Sequence, residues 1–275
     1  MNGSSRSIAI KKNIIASLFL KGISILVSLQ VVPLTINYIN PTRYGIWLTL
    51  SSIVAWLSYF DLGFAHGFRN RFAEAVAKGD MQLAREYVST TYVVLSLLFS
   101  SVFLIAIVVN HFVDWSAILN VDAAYSSELN IVFGILAFFF CLNIVASIFT
   151  TMLTANQKPA LASLIQTLGQ VFGFICIYIL TKTVPGNLDV LAFAFSGVPC
   201  FLLIIISIGM FLSGRYRHLS PSFHFVHFSL TKKIVGLGGQ FFIIMISMLF
   251  VFQLINIVIS RVAGPMAVTQ YNIAY

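Results

Sequence analysis

The chain has 275 residues, 59% apolar and only 9% charged, whereas a soluble domain carries roughly a quarter charged residues, so no water-facing surface can be built from it. Its 24 formal charges cluster between continuous apolar runs of about 18 residues or more, which excludes a soluble enzyme and also a β-barrel of short alternating segments. What remains is an all-α polytopic membrane protein. Hydropathy predicts seven spans, near 13–36, 44–62, 88–109, 129–154, 159–180, 189–212 and 236–259, with an eighth starting at AVTQYNIAY.

The first span follows Arg6, Lys11 and Lys12. It is too long for the apolar region of a signal peptide and no small-x-small site ends it, so it reads as uncleaved. Within SLFLKGISILVSLQ, Ser17, Lys21, Ser24 and Ser28 recur at helical spacing and draw one polar stripe. Lys21 either snorkels to the headgroups or faces an interior. The stripe continues toward the opposite leaflet, where snorkelling explains nothing, and so favours the interior.

Tyr38, Tyr44 and Trp47 around the first hairpin, and Tyr59 at the far end of span two, read as interfacial anchors. Span two closes on FDLGFAHGFRNRF, in which an acid, two glycines and an Arg-Asn-Arg triplet meet an uncharged run. The next stretch puts Phe68, Phe72 and Val76 on one helical face and pairs Glu74 with Lys78, as expected for an amphipathic helix lying on the inner leaflet. Arg69 and Arg71 then sit at headgroup depth, holding topology and touching anionic lipid. Asp61 bridges to one of them as a latch, the favoured reading, or takes part in cation coupling. Gly79 and Asp80 stop this helix and cap the next.

The longest outer loop, NHFVDWSAILNVDAAYSSELN, is too short for a catalytic domain. Further polar stripes run along span four (Asn143, Ser147, Thr151, Thr154), span five (Ser163, Gln166, Gln170) and span seven (Gln253, Asn256). Any one of them can be helix glue, but several together favour a central polar cavity. Pro199 is expected to kink span six, and Gly169 with Gly173 to permit close packing on span five. Cys141, Cys176 and Cys200 fall inside apolar segments at wide spacing and suggest neither a disulfide framework nor a metal set; no cofactor is implied.

With the N-terminus inside, twelve Lys and Arg face the cytoplasm and only Arg43, Lys182 and Arg261 face outward. The net charge of +8 is therefore topological, and no nucleic-acid partner is needed to explain it. A weak internal echo relates KKNIIASLFLKGISIL to KKIVGLGGQFFIIMIS, and INPTRYGIW to AGPMAVTQYNIAY. A six-helix unit followed by the start of its repeat would produce it.

Pro33, Tyr44-Gly45-Ile46-Trp47 and Asp61-x-Gly63-x-x-x-Gly67-Phe68-Arg69-Asn70 resemble the polysaccharide transporter family, the Wzx-like lipid-linked oligosaccharide (O-antigen) flippases of the MOP superfamily to which the multidrug and toxin extrusion (MATE) transporters also belong. GPMAVTQYNIAY resembles that family's link between spans seven and eight. The resemblance implies two six-helix lobes around a cavity, and hence a chain organised as an N-terminal lobe at 1–212, a cytoplasmic linker at 213–235 and the opening of a second lobe at 236–275, incomplete as it stands. It implies translocation of an undecaprenyl pyrophosphate-linked sugar unit across the bacterial inner membrane, with membrane lipids and other polysaccharide export proteins as partners. Lys21 is then expected to attract the pyrophosphate, Gln166, Gln170, Gln253 and Asn256 to contact sugar hydroxyls, and Asp61, Arg69 and Arg71 to form the cytoplasmic gate.

Two other functions compete. A drug or metabolite cation antiporter of the same superfamily would share the fold, but a cationic lumen argues against it. A membrane polymerase or acyltransferase needs acids or histidines gathered at one face, whereas His66, His111, His218, His224 and His227 are scattered. His224 and His227 could form a metal pair only with a further ligand.

Overall fold

A computed structural model describes residues 3–57, 63–236 and 254–274, with side chains from Asn13 onward. Every regular element among the described residues is helical. Five helical stretches are long and apolar enough to cross a bilayer: Asn13–Ile39, Met81–Phe112, Ala123–Ala155, Pro159–Thr183 and Leu188–Leu212. They correspond to predicted spans one, three, four, five and six. Predicted span two is described as a helix only over Pro41–Ala55, and span seven lies mostly outside the described residues, ending in the shorter helix Leu254–Ala263.

Helix α1 (Gly3–Ile39) breaks at Asn40, which takes φ 74° and accepts a hydrogen bond from the Arg43 backbone N–H at 3.0 Å. Pro41 then opens α2 (Pro41–Ala55) in the first turn, where a missing N–H costs nothing. Gly63, at φ 75°, starts α3 (Phe64–Ala77). The apolar face of α3 is covered by protein: Phe68 and Phe72 are completely buried, in a cluster with Phe149, Met152 and Leu219. This corrects the expectation of a helix lying on the leaflet. Amphipathicity alone does not say whether lipid or protein covers the apolar side. The close fit needs Gly67, where a Cβ would lie 2.0 Å from the carbonyl oxygen of Ile234 in the helical residues 229–236.

Gly79 (φ 77°) and Asp80, whose side chain accepts from the Leu83 N–H, separate α3 from α4 (Met81–Phe112), as the sequence predicted. The loop beyond α4 is folded. Asp114 caps α5 (Trp115–Leu119), and buried Trp115 donates its indole N–H to Asn110 at 2.6 Å. Span four divides at Ser147 into α6 (Ser126–Ala146) and α7 (Ile148–Ala155). Ser147, Thr151 and Thr154 donate to the carbonyls of Ile144, Ser147 and Thr150, so this stripe spends its hydroxyls on its own backbone.

Helix α8 (Pro159–Thr183) turns Gly169 and Gly173 toward Pro199; a Cβ on either would sit 3.2 and 3.5 Å from the proline ring. Between α9 (Leu188–Ala192) and α10 (Val198–Leu212), Phe193–Gly197 form a π-helical turn. That wide turn absorbs the clash a proline makes with the preceding turn, so span six is re-pitched at the expected place. The last described helices are α11 (Leu254–Ala263) and α12 (Pro265–Ala274), joined by Gly264 at φ 81°.

Polar groups assigned to one membrane face meet one another. Arg43 pairs with Glu128 at 3.6 Å, and Arg261 donates to the Ala117 carbonyl at 2.6 Å. At the other, more basic end, Arg71 donates to the Lys233 carbonyl, Arg85 to the Ser220 carbonyl and Lys158 to the Tyr216 hydroxyl. Each end has its own apolar core, one around Phe72, Phe99 and Phe149, the other around Leu50, Leu119 and Leu191.

Candidate functional site

Two seams place the polar residues of the spans, and they differ in kind. Along the first, α1 lies on α8. Asn13 donates to the Gln157 carbonyl at 3.4 Å, Thr167 to the Leu20 carbonyl at 3.5 Å, and the Ser24 hydroxyl to the Gln170 side-chain oxygen. These contacts run in register along the seam, and through Ser24 and Gln170 the polar stripe of α1 meets that of α8. Lys21 and Gln166 are both exposed and make no hydrogen bond or ion pair among the described residues. Gln170 uses only its oxygen, and its amide –NH₂ has no partner among the described residues.

Beyond the Ser24–Gln170 contact the seam opens into a cavity of about 350 Å³. Its walls include Ser28 from α1, Tyr44 and Trp47 from α2, Gln170 from α8, and Phe195 and Pro199 from span six. The π-helical turn carries Phe195 to an edge-to-face contact with Trp47, ring centroids 4.6 Å apart. Tyr44 and Trp47 are each only 5% exposed, and this corrects their reading as interfacial anchors. They lie three apart on α2 and so share a face, a signal that the sequence held but that aromatic-belt statistics obscured. The Trp47 indole N–H is buried without a hydrogen-bond partner among the described residues.

The second seam joins α2 to α11 and α12. The two stretches that echo each other in sequence fold alike, each as a helix, one residue at positive φ (Asn40 or Gly264), a proline and a second helix. They also pack reciprocally. A Cβ on Gly45 would lie 1.8 Å from the Pro265 carbonyl oxygen, while Thr269, the counterpart of Gly45, donates to the Pro41 carbonyl at 2.6 Å. Deeper in this seam Asn256, 8% exposed, donates to the Ser52 hydroxyl at 2.7 Å and accepts from the Asn272 side chain at 2.9 Å. Its carboxamide is committed at both ends, away from the cavity that Gln170 lines.

Of the other predicted site residues, Gln253 and Asp61 lie outside the described residues. Arg69 is exposed on α3, and Arg71 donates to Glu74 at 3.0 Å as well as to the Lys233 carbonyl. The Glu74 carboxyl sits below the usual carboxylate range, chiefly because Lys78 donates a hydrogen bond to it and secondarily because Arg71 does. His227 faces Glu86 at 3.7 Å, and the described residues contain no group of three or more histidine, cysteine or acidic side chains placed to hold a metal ion.

Apolar helices of bilayer length around a polar seam define a multi-pass α-helical membrane protein. A family model described as polysaccharide biosynthesis protein matches residues 10–275, and the chain belongs to that family. A search of curated proteins returns no match. Among solved structures the chain is similar to an inward-facing conformation of a multidrug resistance MATE family transporter of the MOP superfamily. The two share 15% identity at a TM-score of 0.62, and the match covers 86% of this chain and 56% of that one. The chain thus has the MATE-type fold and spans just over half the length of that neighbour.

Proposed function

We propose that the chain is the front part of a transporter that carries a polyprenyl pyrophosphate-linked oligosaccharide across the bacterial inner membrane for cell-surface polysaccharide assembly, its basic end cytoplasmic. The observation that carries this reading is the α1–α8 seam, along which the exposed Lys21 and Gln166 and the Gln170 –NH₂ make no hydrogen bond or ion pair among the described residues. Charge buried alone in hydrocarbon costs on the order of tens of kcal/mol by Born estimates, so a pyrophosphate-sugar headgroup crosses only where a cation and hydrogen-bonding groups replace its water. Lys21 attracts the pyrophosphate, Gln166 and Gln170 meet sugar hydroxyls, and the prenyl tail stays in the bilayer. Arg69, Arg71 and Asp61 belong to the cytoplasmic entry, where the headgroup is loaded.

A cation antiporter fits the same fold less well, because no carboxylate among the described residues faces this seam or its cavity. Membership of a polysaccharide biosynthesis family also favours a sugar-bearing cargo over a drug, and transport over a membrane enzyme. The test is a Lys21→Gln variant of the full-length protein, assayed for translocation of lipid-linked oligosaccharide at matched expression. Translocation is expected to fall at least tenfold, the effect of about 1.4 kcal/mol. Unchanged translocation would remove Lys21 from the pathway.

A further inference from the structure

The cavity at the end of the α1–α8 seam has a chemistry of its own, and we propose that it is a sugar-ring subsite, taking a neutral pyranose of the cargo between Phe195 and Gln170. The inference rests on the reading of the chain as a carrier of lipid-linked sugar. At about 350 Å³ the cavity falls in the size range of small-ligand pockets, roughly 300 to 1,000 Å³. Phe195, 37% exposed, offers flat apolar surface of the kind that packs on a sugar's C–H face. Two polar groups in the same walls make no hydrogen bond among the described residues: the Ser28 hydroxyl and the Gln170 –NH₂.

Those two groups decide between occupants. A prenyl chain or other hydrocarbon would leave both of them unpaired, at a cost of about 1–3 kcal/mol for each that it buries. An amphipathic cation needs an acid, and no carboxylate among the described residues lines the cavity. A sugar hydroxyl both donates and accepts, and so satisfies the amide and the serine while its ring packs on Phe195. The spacing along α1 is also right. Ser28 lies seven residues beyond Lys21, about 10 Å along the helix, so a pyrophosphate held at Lys21 directs its attached sugars up the seam toward the cavity.

The experiment uses the full-length protein in lipid nanodiscs and two short-chain probes, a citronellyl pyrophosphate and the same molecule carrying one glucose, galactose or N-acetylglucosamine, with affinities from titration calorimetry. The wild type is expected to prefer at least one glycosylated probe. Gln170→Leu should shrink that preference by about fivefold, the worth of one net hydrogen bond, and Phe195→Leu should shrink it as well, neither changing affinity for the bare pyrophosphate. Lys21→Gln should weaken both probes alike. If both probes bind through Lys21 and the pocket variants leave the preference intact, the subsite is refuted and the transport reading stands. If neither probe binds to the wild type, the transport reading fails and the subsite with it. Should Gln170→Leu lose both probes, Phe195→Leu, which removes the aromatic wall and no hydrogen-bonding group, decides the matter.

Discussion

The two seams of this bundle contain the same kind of residue and use it in opposite ways. Between α2 and α12, Asn256 is bonded on both sides and the backbones meet so closely that Gly45 has no room for a Cβ. Along the α1–α8 seam, Lys21 and Gln166 are exposed and make no hydrogen bond among the described residues, and the helices part around a cavity. A polar side chain inside an apolar span is thus glue where a partner meets its polar atoms and a candidate binding group where none does. Composition and periodicity cannot separate the two.

The sharpest way to break that contrast is Gly45→Val. Its Cβ would overlap the Pro265 carbonyl, so the tight seam must separate, and a loss of about 3 kcal/mol is expected in thermal unfolding of the solubilised protein. Gly134→Ala is the control: its Cβ meets only Ile107 at 3.7 Å, and no loss is expected. A wild-type melting temperature for Gly45→Val would mean that the seam is not closed in the folded protein.

Asn256→Leu comes next, stranding the Ser52 hydroxyl and the Asn272 amide at a cost of about 1–3 kcal/mol. Gln166→Leu on the open seam should cost nothing measurable in the same melt while impairing transport. Equal destabilisation by the two would erase the distinction between the seams. Ser24→Ala removes the single side-chain bond to Gln170 and should cost about 0.5–1.5 kcal/mol, placing the α1–α8 contact between the two extremes.

The smallest effect belongs to Glu74, whose partners sit at the basic end outside both seams. Its folded carboxyl titrates below the ordinary range, so its stabilising contribution is complete above the unfolded value, about pH 4.3, and is lost as pH falls through the lower folded value. Hydrogen-exchange protection factors in the last turn of α3 should stay constant from neutral pH down to about 5 and fall only at greater acidity. A fall already at pH 6 would assign the turn's stability to some other group.

The sequence by itself determined the helical membrane class, the positions of five spans, the stop at Gly79 with its cap at Asp80, the disturbance at Pro199 and the likeness between the two proline-led turns. Each of these is local, set by hydropathy over one span or by the φ that a single glycine or proline allows. Only the tertiary structure decided what covers each face. Phe68 and Phe72 meet protein rather than lipid, Tyr44 and Trp47 wall a cavity rather than anchor at an interface, and Asn256 binds Ser52 while Gln170 keeps an amide free. Lipid and protein interior are equally apolar, so hydropathy is blind to the difference. It arises from residues more than a hundred positions apart in the chain.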